Sequence, residues 1–310
     1  MLVKLKGVNK RYGDVLAVDN VNLEIQEGEI FGLLGPNGAG KTTTINILMG
    51  LAKVDGGTIT IFGKKANGHN SEVKQHIGIV PQDLAIYEDL TAAENVEFFG
   101  KLYGLGGSLL KERVAQALEF TGLSDKARQF PKKFSGGMKR RLNIACAIVH
   151  QPRLIVMDEP TVGIDPQSRN HILESVRSLN KQGSTIIYTS HYMEEVEAIC
   201  TRIAIMDKGR VMARGTKEEL KDLVSTEETI TLEVTNITYT LVNQLKKIPG
   251  VKECSLSQGK LSVIVTKGSQ VTGRILDCLT AAGSEINSLN MEKTTLESVF
   301  LTLTGRTLRD

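Results

Sequence analysis

Gly35-Pro36-Asn37-Gly38-Ala39-Gly40-Lys41-Thr42 is the run of this chain best equipped for chemistry. It fits G-x-x-x-x-G-K-[ST], a pattern that predicts a backbone loop cradling nucleotide phosphates. Consecutive N–H groups in such a loop make an anion-binding hollow, and a helix behind it adds its positive dipole end. Gly35, Gly38 and Gly40 are expected to let the backbone approach phosphate and adopt positive φ. Lys41 would supply a compact cation at the β- and γ-phosphates, and Thr42 a hydroxyl to Mg²⁺. A second pair, Asp158-Glu159, follows the apolar run Leu154-Ile155-Val156-Met157. Two carboxylates at the C-terminal end of a buried strand lie where open α/β sheets hold their ligands. Asp158 is expected to hold Mg²⁺ through waters and Glu159 to polarise an attacking water, with the phosphate loop on a neighbouring strand.

These groups need elements to position them. Glu29–Leu34 before the loop reads as a buried strand, and Thr43–Met49 after it as the start of a helix. Short strands are predicted at Leu2–Lys6 and Val18–Gln26, with Gly28 as a hairpin turn into Glu29–Leu34. Further strands are expected at Thr58–Ile61, Ile77–Val80, Leu154–Met157, Thr185–Thr189 and Arg202–Met206. A helical stretch runs from about Asp83 to His150, with a capping box at Thr91–Glu94. It holds helices at Leu109–Thr121 and Arg140–Val149, the latter with Leu142, Ala145, Cys146 and Val149 on one face. Alternating strands and helices imply an α/β fold with a parallel sheet core.

A charged helix near Lys217–Thr226 leads to an expected domain boundary at Ser225-Thr226-Glu227-Glu228, giving domains 1–223 and 224–310. Beyond it the order reads β-α-β-β-α-β with one added helix, a ferredoxin-like α+β arrangement. No residue cluster there suggests chemistry, so a structural or regulatory role is expected.

The 310 residues suffice for two domains, and 41% hydrophobic content supports a sizeable core. A net charge of +3 does not demand nucleic acid as a partner. Lys132-Lys133 and Lys139-Arg140-Arg141 are read as a solvated helix face. Cys146, Cys200, Cys254 and Cys278 lack C-x-x-C spacing and fit free thiols in a reducing cytosol. No signal peptide is evident, and no stretch approaches the roughly 20 apolar residues that cross a bilayer.

Further short motifs carry a family resemblance. Phe134-Ser135-Gly136-Gly137-Met138 resembles the signature of ATP-binding-cassette (ABC) proteins, lying upstream of Asp158 in the family's order. Gln82 resembles the family's Q-loop glutamine, Gly163-Ile164-Asp165 its D-loop, His191 its switch histidine and Tyr12 its adenine-stacking aromatic. The resemblance covers about residues 1–223. It implies a P-loop NTPase cassette with a mixed sheet core and a helical signature subdomain at about 83–150. It implies ATP and Mg²⁺ as cofactors, with the loop from Gly35 to Thr43, Tyr12, Ser135, Gly136 and Gly137 on the nucleotide. Catalysis is then expected from Glu159, His191, Lys41 and Gln82, and metal binding from Thr42, Gln82 and Asp158. The family's commonest signature ends in Gln where this chain has Met138. Met138-Lys139-Arg140-Arg141-Leu142-Asn143 with the C-terminal domain resembles the exporter branch that handles drugs, ions or lipids.

The resemblance further implies a homodimer in which each signature closes its partner's site, driving separate integral membrane permease subunits. The chain is then expected to be cytoplasmic and peripheral on the inner face of the cell membrane, with no nucleic acid bound. The alternative is a soluble ABC ATPase acting on nucleic acid or ribosomes, disfavoured by the lack of sustained heptads between loop and signature and by the single cassette. A GTPase reading fails because Asn180-Lys181-Gln182-Gly183 lacks the final Asp of Asn-Lys-x-Asp.

Overall fold

The computed structural model describes residues 1–66, 71–224, 227–257, 260–292 and 295–305. Two compact units emerge, one of Met1–Lys217 with the described residues from Leu303 on, the other of Glu218–Thr302.

The first unit opens with β1 (Val3–Tyr12), β2 (Val15–Ile25) and β3 (Ile30–Leu34), followed by α1 (Lys41–Leu48). β4 (Gly56–Ile61), β5 (Lys64–Lys65), a short α2 (Ser71–Lys74) and β6 (Ile77–Val80) come next. β2, β1, β4 and β5 form one antiparallel sheet. β3 is not part of it. Its five residues, Ile-Phe-Gly-Leu-Leu, are all buried, as in the interior of a parallel sheet. It pairs parallel with two strands far along the chain. The expected hairpin at Gly28 is therefore corrected. Gly28, at φ +80°, carries the chain from one sheet to another, and its N–H donates to Thr185 Oγ1 at 2.9 Å.

The helical insert contains α3 (Ala92–Leu102), α4 (Gly107–Phe120) and α5 (Gly136–Ile148), which pack on one another. Thr91 and Glu94 form the expected capping box. α5 begins four residues before the predicted start and is capped by Ser135, whose hydroxyl accepts from Met138 N at 3.2 Å. Its apolar stripe is wider than expected, because Ile144, Ala147 and Ile148 are buried with Leu142, Ala145 and Cys146. α5 is covered on several sides by α3, α4, β6 and the following helix, so one face alone does not describe it.

β7 (Leu154–Asp158), α6 (Pro166–Lys181), β8 (Thr185–Ser190), α7 (Met193–Ile199), β9 (Arg202–Asp207) and β10 (Arg210–Gly215) complete the unit. The second sheet has the order β10-β9-β3-β8-β7-β6, parallel except for β10. With β3, β6, β7 and β8 parallel, their C-terminal ends meet at one edge. Leu34 pairs in register with Ser190, Asp158 with Thr189, and Met157 with Val80. The phosphate loop and the acidic pair thus share an edge but not adjacent strands. β8 lies between them, a correction to the expected neighbourhood.

Lys132 and Lys133 are exposed, as expected, but the Lys139-Arg140-Arg141 run is not a solvated face. Arg140 is 4% exposed, and its guanidinium donates to Pro81 O at 2.7 Å and Gln82 O at 2.6 Å. Arg141 donates to Thr121 O at 3.2 Å, and Lys132 and Lys139 pair with Asp89 and Glu88. The run binds the insert together rather than awaiting an anion.

In the chain's order α8 (Lys217–Asp222) ends before the predicted limit, and Ser225 and Thr226 of the expected boundary lie outside the described residues. The second unit then reads β11 (Glu227–Val234), α9 (Tyr239–Leu245), β12 (Val251–Ser257), β13 (Lys260–Thr266), α10 (Thr272–Ala281), β14 (Ile286–Glu292) and α11 (Leu296–Thr304). Its antiparallel sheet has the order β12-β13-β11-β14, the ferredoxin-like arrangement. Alternate residues Ile230, Leu232 and Val234 pack with Leu261, Val263 and Val265 against Leu241, Leu245, Ile275 and Leu279 of α9 and α10.

Cys146, Cys200 and Cys254 are buried and Cys278 half-buried, all as free thiols. Burial raises the pKa of Cys146 and Cys200, which makes them poor nucleophiles.

Candidate functional site

β3 ends at Leu34 and delivers the glycine run to the sheet edge, where α1 starts at Lys41. Gly38 and Gly40 have φ of +79° and +99°, the left-handed backbone that glycine tolerates. Gly35 is different. Its φ is not positive, and what excludes a side chain is the Met206 carbonyl, 2.5 Å from where a Cβ would sit. The N–H of Ala39 returns to Pro36 O at 3.1 Å, closing the turn.

Lys41 is 4% exposed and uses its ammonium on three partners. It donates to Gly35 O at 2.8 Å and Pro36 O at 3.1 Å, and pairs with Glu159 Oε1 at 3.0 Å. Glu159, itself 5% exposed, sits at φ +46°, an unusual backbone for a residue with a Cβ. Its Oε2 lies 3.1 Å from His191 Nδ1. The three side chains form one line, Lys41 to Glu159 to His191.

Thr189 on the intervening strand holds the Asp158 carboxylate and the Glu159 backbone, and its role was not visible from spacing. Its hydroxyl donates to Asp158 Oδ1 at 2.6 Å and accepts from Glu159 N at 2.8 Å. The signal available was register alone, since Thr189 stands opposite Asp158.

A cavity of about 570 Å³ opens at this edge. Its lining joins Asn37, Gly38, Ala39, Gly40, Lys41, Thr42 and Thr43 to Gln82 and Glu159. The sequence did not anticipate the opposite wall, made by Val15, Leu16, Ala17, Lys208 and Gly209. Gly35, Pro36, Asp158 and His191 are not among the lining residues. Tyr12 is not in it either. It is half exposed, pairs with Val15 across the β1–β2 turn, and carries Lys10 Nζ 5.1 Å above its ring.

Ser135, Gly136 and Gly137 are likewise not brought to this cavity. Ser135 and Gly136 are exposed at the start of α5. Gly137 is packed so closely that an added Cβ would meet Ser168 Oγ at 2.1 Å. Asp165 caps α6 there, accepting from Ser168 N at 2.9 Å, and that bond holds its carboxyl below the usual range.

The residues fit a hard divalent cation of the Mg²⁺ kind. Thr42 and Gln82 line the cavity and Asp158 lies at the same sheet edge, all offering the oxygen ligands such a cation takes, while among the described residues no group of three or more His, Cys, Asp or Glu could hold a metal ion. No helix among the described residues is long and apolar enough to cross a membrane.

Comparisons with known proteins agree with this geometry. Residues 18–162 match the family described as ABC transporter, and residues 215–304 match the ATP-binding protein DrrA1-3-like C-terminal domain. The linearmycin resistance ATP-binding protein LnrL of Bacillus subtilis is 45% identical over 100% of both chains. The daunorubicin resistance ATP-binding protein DrrA2 of Streptomyces coeruleorubidus is 36% identical over 98% of this chain and 95% of its own. A dimeric ATP-binding cassette in a post-hydrolysis state, bound to ADP and Pi, superimposes with a TM-score of 0.64 at 31% identity, covering 69% of this chain and 98% of that one. The chain belongs to the ABC transporter family, as an ATP-binding and ATP-hydrolysing subunit of its exporter branch.

Proposed function

We propose that two copies of this chain sandwich ATP between the Lys41 loop of one and the Ser135 turn of the other, and that the closure drives a separate integral membrane permease. The observation that carries this reading is the separation of the two anion sites. Ser135 caps a 13-residue helix and is exposed, yet stands outside the cavity that Lys41 lines. The N-termini of α1 and α5 each offer backbone donors to anions, and a two-fold pair uses both sets at once. The closed state gains contacts from ATP that hydrolysis removes.

Within each site Lys41 exchanges Glu159 for the β- and γ-phosphates, since its ammonium already spends its hydrogens on oxygen acceptors. Glu159, freed from that pair, acts as general base toward water, with His191 holding its second oxygen. Thr189 keeps Asp158 and Glu159 in fixed relation. Thr42, Gln82 and Asp158 would hold Mg²⁺, which supplies charge neutralisation at the phosphates. Tyr12, exposed and paired with the cavity-lining Val15, is the assigned adenine platform. Residues 1–223 are assigned as the ATP-binding domain, with a helical subdomain at about 83–150, and 224–310 as the accessory domain.

The chain acts from the cytoplasmic side, peripheral on the inner face of the cell membrane, and binds no nucleic acid. The full-length likeness to resistance proteins supports an exporter over a ribosome- or DNA-directed ATPase. Purification of the tagged chain from solubilised membranes, with mass-spectrometric identification, tests this. The expected result is a polytopic permease in stoichiometric amount. Ribosomes or DNA without an integral membrane protein would overturn it.

A further inference from the structure

Glu195, near the start of α7, is 3% exposed and does not line the cavity. Its Oε2 is the acceptor of three hydroxyls. Thr161 Oγ1 donates to it at 2.7 Å, Tyr188 Oη at 2.8 Å and Ser190 Oγ at 3.2 Å. Oε1 lies 3.3 Å from Arg169 Nε, close enough for an ion pair yet without an aligned hydrogen bond. A buried carboxylate costs several kcal/mol unless donors surround it, so this one is held mainly by the hydroxyls.

The three hydroxyls are not scattered. Thr161 lies two residues after Glu159, inside the turn where Val162 N bonds Glu159 O at 3.3 Å and Ile164 N bonds Thr161 O at 3.2 Å. Ser190 directly precedes His191. Because its hydroxyl hydrogen points at Glu195, its lone pairs are free to accept from Tyr192 N at 2.9 Å. His191 is therefore bracketed by Ser190, which bonds Glu195 directly, and Tyr192, which reaches it only through Ser190. Tyr188 belongs to the strand between the two loops, and the low-dielectric setting with Glu195 beside it holds its phenol well above its ordinary pKa, so it stays a donor. Arg169, from the helix after the Gly163-Ile164-Asp165 turn, closes the group by lying 4.9 Å over the Tyr192 ring.

We infer that Glu195 is a positioning residue for ATP hydrolysis, a buried post to which the loop carrying Glu159 and the loop carrying His191 are both fastened. The inference rests on Glu159 and His191 forming the hydrolytic pair. A carboxylate suits the post better than an amide, because all its lone pairs accept and it forces each hydroxyl to donate. An amide in its place would aim a donor at a donor. The 3.1 Å approach of His191 Nδ1 to Glu159 would then lose its scaffold.

The test uses the full chain with Glu195→Gln, Thr161→Val and Thr161→Ser. Steady-state kcat and KM for MgATP are measured beside thermal unfolding, with Glu159→Gln as control. Misplacing reacting groups by a fraction of an ångström to an ångström costs on the order of 10–100-fold in rate. We expect Glu195→Gln and Thr161→Val each to lower kcat by about that factor, with KM and the unfolding temperature close to wild type. Thr161→Ser, which keeps the hydroxyl, should recover kcat to within about threefold. Wild-type kcat in both Glu195→Gln and Thr161→Val would overturn the inference. So would a parallel fall of kcat and unfolding temperature that Thr161→Ser does not repair, which marks a purely structural network. If Glu195→Gln does not fold, the two Thr161 variants decide alone. Should Glu159→Gln itself turn over at the wild-type rate, the hydrolytic pair is misassigned, and that failure is distinct from failure of the post.

Discussion

One hydroxyl and one ammonium organise the acidic pair. Thr189 stands between Asp158 and the Glu159 amide, and Lys41 holds the Glu159 carboxylate from the other side. All four groups are buried, where an unpaired polar atom costs about 1–3 kcal/mol. Thr189→Val should leave the Asp158 oxygen and the Glu159 N–H without their partner. We expect a stability loss of about 1–3 kcal/mol by denaturant titration and slower turnover, with Thr189→Ser much closer to wild type. Glu159→Gln should keep nucleotide binding and slow hydrolysis by about 10²–10⁴-fold, measured by phosphate release at saturating MgATP. The Lys41 loop and Asp158-Glu159 were legible in the sequence because a phosphate hollow and a strand-end acid are local backbone designs with fixed spacing. Thr189, Thr161 and Glu195 were not legible. The bonds Thr189–Asp158 and Thr161–Glu195 join residues 31 and 34 positions apart, and the pairing of β7 with β8 brings them together.

Helix α5 shows what the insert does for the sheet edge. Arg140 projects from it to hold the Pro81 and Gln82 carbonyls, fixing the segment from which Gln82 reaches the cavity. Lysine presents one point charge where two carbonyls need a planar fork, so Arg140→Lys should rescue little. For Arg140→Ala we expect faster amide exchange at Gln82 and the residues after it, with a loss of about 2–4 kcal/mol from two orphaned carbonyls. A cluster of basic residues in sequence looked solvated because charge is usually exposed, and only tertiary packing assigns these to backbone carbonyls. The hairpin expected at Gly28 failed for a related reason. Alternation and a turn residue identify strands, but they do not say which sheet each strand joins.

The other end of the same helix carries a titratable contact. His150 stacks on Tyr103 with ring centroids 3.5 Å apart, and its Nε2 donates to Ile77 O at 3.2 Å. Burial pushes its pKa down from 6.5 to about 4, opposed by the hydrogen bond to Ile77. Below the unfolded value the unfolded chain takes up a proton that the folded chain refuses. Its contribution is therefore intact above pH 6.5 and is lost as pH falls toward 4, by up to about 1.4 kcal/mol per pH unit. His150→Phe keeps a ring on Tyr103 and removes the titration. Urea unfolding between those pH values should show a shallower decline in the variant than in the wild type, and equal slopes would remove His150 from the account.

At the scale of the whole molecule, the proposed dimer gives each cassette half of two nucleotide sites. The cavity is lined by the loop, Glu159 and Gln82, and the exposed Ser135 turn is not part of its lining. The ferredoxin-like unit keeps its own core of Ile230, Leu232, Leu261 and Val263 with two helices, and no acid, thiol or imidazole cluster among its described residues suggests a second chemistry. Its element order was legible because β11 and β13 alternate around a buried face and turn residues separate the elements. The most direct test of the account is the mass in solution of the Glu159→Gln protein with saturating MgATP, measured by light scattering alone and in its native membrane assembly. The account predicts a dimer with ATP, a monomer without it, and loss of the dimer when Ser135 is replaced by Arg. A Glu159→Gln protein that binds ATP yet shows only one copy, in solution and in the assembly, would contradict it.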